Sequence, residues 1–141
     1  MASPVALLLS GILSMLGLVH IYWAFGGRSA SAAAVPELDG RPAFRPSRSS
    51  SLAVAIALFV AAALVAAAGR LLPDPLPSPI VRILTLGLGA VFLARSIGDF
   101  RLVGFFKRVR GSPFAQLDTF VYAPLCLILG LAALFVAYHD V

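Results

Sequence analysis

Polar and charged positions cluster along this chain, and between the clusters run four apolar stretches. A helix crossing the roughly 30 Å hydrocarbon layer needs about 20 apolar residues at about 1.5 Å each. The first stretch, about Val5 to Phe25, holds no charged residue; His20 and Tyr22 are its ionisable groups. The second, Leu52 to about Leu72, has Arg70 near its end, where a long side chain can snorkel. The third, Ile80 to about Ile97, carries Arg82 and Arg95 toward its two ends, and the fourth, about Thr119 to Tyr138, carries no charge. Connections of about 26, 7 and 21 residues separate them. The pattern predicts an all-α fold: one four-helix membrane bundle over residues 1–141, with spans of about 5–25, 52–72, 80–97 and 119–138.

Composition agrees. Sixty per cent of the 141 residues are apolar and 12% are charged, against about 45–50% and 25% for a soluble domain. This excludes a disordered chain and a disulfide scaffold, and argues against a water-soluble globule.

Orientation follows from the distribution of Lys and Arg. Arg28, Arg41, Arg45 and Arg48 lie between the first two spans, and Arg101, Lys107, Arg108 and Arg110 between the last two. Only Arg70 and Arg82 fall on the other side, a count of eight against two. Both long loops are therefore expected in the cytoplasm and both termini outside. Ala30-Ser31-Ala32 and Ala32-Ala33-Ala34 fit a small-x-small cleavage pattern, but Met1-Ala2-Ser3-Pro4 supplies no basic leader. The first span is read as retained.

The connections differ in character. Pro73-Asp74-Pro75-Leu76-Pro77-Ser78-Pro79 forbids helix and predicts a rigid turn. The first long loop shows no periodicity that predicts helix or strand. In the second, Phe105 and Phe106 are expected in the headgroup zone, with Lys107, Arg108 and Arg110 on anionic lipid. The membrane thus accounts for the net charge of +5, and no nucleic-acid partner is inferred.

Small residues mark packing faces. The second span has nine alanines between Leu52 and Ala68, with Ala53, Ala57 and Ala61 at four-residue steps; Ser10, Gly11, Ser14, Gly17, Gly87 and Gly89 add to the first and third. Such faces let helices approach closely within the bundle or against another subunit. Cys126 is a lone mid-span filler.

Depth arithmetic brings polar residues together. His20 lies fifteen residues after Val5 and Arg95 fifteen after Ile80, so each sits about 22 Å from the outer end of its helix. Tyr22, Trp23, Asp99 and Arg101 follow just beyond, and Tyr122 enters from the same side one turn after Asp118. These residues predict a shallow inner-leaflet pocket in which Arg95 and Asp99 pair with each other, at i,i+4 if the helix persists through Gly98, or with His20. The plainer reading is an aromatic belt with Arg95 snorkelling. His20 and His139 lie at opposite faces, so no metal or haem is expected, and no cofactor motif appears.

Three stretches together resemble a known family: His20-Ile21-Tyr22-Trp23-Ala24-Phe25-Gly26-Gly27; Gly98-Asp99-Phe100-Arg101-Leu102-Val103-Gly104-Phe105-Phe106-Lys107; and Asp118 with Tyr122-Ala123-Pro124-Leu125-Cys126. The family is one of small bacterial four-helix membrane proteins known only as a domain of unknown function. The resemblance implies four spans, a similar length and no agreed activity. Its pattern has serine before the fourth-span proline, where this chain has Ala123.

Two functions remain open at this point. One is a non-enzymatic structural or accessory subunit of a larger assembly in the inner membrane. The other is a protein binding or transforming a lipid or isoprenoid, with His20 and Asp99 as acid–base candidates and Tyr22, Trp23, Arg95, Arg101 and Tyr122 around the ligand. Arg48→Cys and Arg108→Cys, in a chain with Cys126→Ala, are expected to react with an impermeant maleimide only from the cytoplasmic side. Labelling from outside overturns the orientation.

Overall fold

The computed structural model describes residues 3–27, 32–73 and 76–141. Arg28, the Ser29–Ser31 part of the small-residue pattern, and Asp74 and Pro75 of the proline-rich turn lie outside the described residues. The rest form helices α1 (Pro4–Ala24), α2 (Arg48–Ala68), α3 (Ser78–Ile97), α4 (Pro113–Leu117) and α5 (Ala123–His139). A π-helical turn, Asp118–Tyr122, joins α4 to α5. The resulting Pro113–His139 helix and the three long helices before it are each long and apolar enough to cross a membrane. The chain is an all-α, multi-pass membrane protein.

Local chemistry moves three boundaries. α2 starts four residues before Leu52 because Ser47 and Ser50 form a reciprocal capping box. It stops at Ala68, with Gly69 as its cap and Arg70 in the left-handed region at φ 59°. The fourth span starts at Pro113, six residues before Thr119, because Ser112 accepts the Ala115 N–H at 3.1 Å. Pro124, which lacks an N–H and crowds the preceding turn, follows the wide turn directly; there the Ala123 N–H reaches back to the Asp118 carbonyl. The first long connection also holds more order than its pattern predicts. It contains a 3-10 turn at Ala32–Ala34 and a two-residue ladder, β1 (Glu37–Leu38) against β2 (Arg41–Pro42). The tight turn is Asp39-Gly40, with φ values of 52° and 75°, the positive-φ geometry that Asp-Gly favours.

Two antiparallel helix pairs make the bundle. α1 and α2 are latched at both ends: the Ser3 N–H donates to the Gly69 carbonyl at 3.0 Å, and Arg48 Nε donates to the Ala24 carbonyl at 3.1 Å. α3 and α5 close on glycine, since a Cβ on Gly89 would lie 3.1 Å from the Gly130 carbonyl oxygen and 2.8 Å from Leu134. The pairs meet through α2–α3 and α1–α5 around Leu9, Leu13, Val65, Val81, Leu129 and Val136. Many large apolar side chains instead point outward, among them Leu8, Ile83 and Phe120, as a bilayer requires.

Much of the small-residue surface is used inside. Gly17 faces the Phe59 ring, and Ala61, Ala62 and Ala66 are buried, whereas Ala53 and Ala57 face outward. Gly89→Ala should therefore cost about 1–3 kcal/mol by overpacking, read as a lower unfolding midpoint in detergent. Gly87→Ala, with open space around its Cβ, should be neutral or slightly stabilising. Equal midpoints for both variants overturn the close α3–α5 contact.

Candidate functional site

The two long connections lie at one end of the bundle, and each builds a separate polar structure there. α3 ends at Ile97 because Gly98 turns the chain at φ 89°. Gly104, at φ 85°, lies against it backbone to backbone, so that a Cβ on Gly98 would overlap the Val103 carbonyl and one on Gly104 the Ile97 carbonyl. The Phe105 N–H then donates to the Ser96 carbonyl at 2.9 Å.

Asp99 organises this loop. Its Oδ1 accepts from the N–H groups of Arg101, Leu102 and Val103 at 2.9, 2.8 and 3.1 Å. The Arg101 N–H above all, aided by the other two, holds the Asp99 carboxyl below the ordinary carboxylate value, against a smaller opposing effect of burial. The expected Arg95–Asp99 pair does not form. The helix breaks at Gly98, and Asp99 satisfies its charge on the loop backbone.

Arg95 pairs with Asp118 instead. Asp118 is fully buried; its Oδ1 accepts from Arg95 Nη2 at 2.9 Å and its Oδ2 from the Gly104 N–H at 2.6 Å. Lys107 Nζ lies 3.2 Å from the same Oδ2 and donates to the Gly104 carbonyl at 3.0 Å and to Thr119 Oγ1. Arg95 Nη1 is buried with no partner among the described residues, so its charge is balanced but its hydrogen bonding is incomplete. Lys107 thus departs from the headgroup role expected of it: its side chain is 0% exposed and serves as an internal counter-charge. Phe106, Arg108 and Arg110 remain exposed and Phe105 is half-buried.

The second structure is a cavity of about 680 Å³ between the end of α1, the first connection and the start of α2. Trp23, Val35 and Val54 give it apolar walls, while His20, Glu37, Arg45 and Arg48 supply ionisable groups. His20 Nδ1 lies 2.8 Å from the Leu16 carbonyl. A carbonyl only accepts, so Nδ1 carries the proton. The His20 ring meets Trp23 edge-on at 5.1 Å.

Of the seven residues expected around one ligand, the cavity gathers His20 and Trp23. Arg95, Asp99, Arg101 and Tyr122 do not line it. Tyr22 is 49% exposed and lies over Gly27. Tyr122 packs on Phe114 at 5.7 Å and donates to the Ala33 carbonyl at 3.1 Å, tying the first connection to the fourth span. Glu37, Arg45 and Arg48 were missed as lining residues. The Asp39-Gly40 hairpin signal marks the fold-back that brings them there. Among the described residues, no three His, Cys, Asp or Glu side chains are placed to hold a metal ion.

Removing one member of a buried ion pair strands the other and costs about 3–5 kcal/mol. Asp118→Ala should show a loss of that size in reversible unfolding, and adding Lys107→Met should recover part of it. An unchanged midpoint for Asp118→Ala overturns the structural role of the cluster.

No curated protein and no solved structure matches the chain. A family described as "Protein of unknown function (DUF3995)" matches residues 13–133. That interval contains both polar structures, from His20 through the Gly98–Lys107 loop to Asp118. The chain therefore belongs to this family of proteins of unknown function.

Proposed function

We propose that this membrane protein binds an amphiphilic molecule in the cavity between α1 and α2. The single observation that carries the reading is the cavity itself. Its volume of about 680 Å³ falls within the roughly 300–1,000 Å³ of small-molecule sites, which combine apolar walls with a few polar groups. A bilayer component meets both demands. The distribution of Lys and Arg supports a cytoplasmic mouth in the inner membrane.

Binding is better supported than acid–base catalysis by His20 with Asp99. The loop backbone engages Asp99 away from the cavity, and the Leu16 carbonyl holds His20 Nδ1.

A second reading, an accessory subunit docking a partner helix, draws on a shallow groove of about 350 Å³ along α1 and α2. It is lined by Ser10, Gly11, Ser14, Ala62 and Ala63.

Trp23 is the chain's one tryptophan and lines the cavity, so its fluorescence reports occupancy. Phospholipid with brominated acyl chains, titrated into the purified protein in detergent, should quench Trp23 saturably near one lipid per protein. Val54→Phe, which narrows the cavity, should weaken that binding. Quenching that rises only in proportion to lipid in the micelle, equally in both proteins, overturns the proposal.

A further inference from the structure

The charges around the cavity do not neutralise one another. Arg45 and Glu37 both line it, yet neither side chain makes a hydrogen bond or an ion pair among the described residues. Arg48 spends Nε on the Ala24 carbonyl and lies over the Phe25 ring at 5.7 Å. Its terminal nitrogens make no described hydrogen bond. His20 has its Nδ1 proton on Leu16, which in the neutral ring leaves Nε2 as an acceptor with no partner among the described residues. The cavity thus offers guanidinium donors, one carboxylate and one ring acceptor, beside the apolar surfaces of Trp23 and Val54.

Resting on the amphiphile reading above, we infer that the ligand is a zwitterionic phospholipid whose headgroup carries a phosphate and a primary ammonium. Guanidinium groups match phosphate oxygens in geometry and charge. A purely anionic headgroup would satisfy the arginines and set its charge against Glu37. A purely cationic one would do the reverse. A phosphoethanolamine headgroup meets both: its phosphate faces Arg45 and Arg48, and its ammonium faces Glu37. The ammonium also has N–H groups to donate to His20 Nε2, which a trimethylated choline lacks. The apolar walls assign the source to a lipid rather than to the free headgroup.

The test uses the full chain in detergent, with Trp23 quenched by brominated-acyl phosphatidylethanolamine, phosphatidylglycerol or phosphatidylcholine. One charge-assisted hydrogen bond is worth about 1.5–3 kcal/mol, so phosphatidylethanolamine should bind about tenfold or more tightly than the other two. Glu37→Gln should abolish its advantage over phosphatidylglycerol while saturable quenching persists. Arg45→Gln should weaken binding of all three lipids. Saturable quenching with equal affinities, or with phosphatidylglycerol preferred, overturns the headgroup assignment and leaves amphiphile binding standing. Absence of saturable quenching by any lipid removes both. Displacement of the brominated lipid by millimolar glycerophosphoethanolamine, as complete as that by unbrominated phosphatidylethanolamine, overturns the lipid source.

Discussion

Taking a carboxylate out of water costs several kcal/mol unless opposite charge and hydrogen bonds meet it where it is buried. Asp118 is fully buried within a helix long and apolar enough to cross a membrane, so its surroundings must be built around it. Arg95 arrives from α3, Lys107 and the Gly104 N–H from the loop between them. Gly98 and Gly104 must be glycine for that loop to come close enough, and Asp99 must gather three N–H groups to hold its bend. One carboxylate thus sets the shape of the connection between the third and fourth spans. The family-like stretch from Gly98 to Lys107 builds this connection around the two carboxylates.

The cavity belongs to the other helix pair. α1 and α2 are joined near both ends, and the first connection folds over the space beside them through its short ladder. The hydrogen bond from Tyr122 to Ala33 ties the fourth span to the first connection, one residue from Ala34 of the cavity wall. The ionic cluster positions the fourth span, and the fourth span supports the chain beside the cavity.

The four spans were legible because bilayer thickness imposes a length and an apolar composition on each of them. Depth was legible too: His20, Trp23, Arg95 and Asp118 do lie toward one end of the bundle. The partners were not. Helical spacing pairs Arg95 with Asp99 only while the helix continues, and the positive φ at Gly98 ends it. Lys107 reads as one more headgroup cation, because nothing in its neighbours shows that a buried carboxylate fourteen positions after Gly104 turns it inward. Asp118 itself carried a usable signal. Once Ser112-Pro113 is recognised as a helix start, the aspartate falls inside the fourth span, where a lone charge demands a partner.

The wide turn at Asp118–Tyr122 has a consequence for how that partner is reached. An α-helix advances about 100° per residue, so the twelve steps from Asp118 to Gly130 would leave them about 120° apart in a regular helix. Absorbing one extra residue reduces the offset to about 20°. The turn acts as a phase corrector, letting a carboxylate and a glycine chosen for unrelated reasons both look toward α3 along a single line of sight.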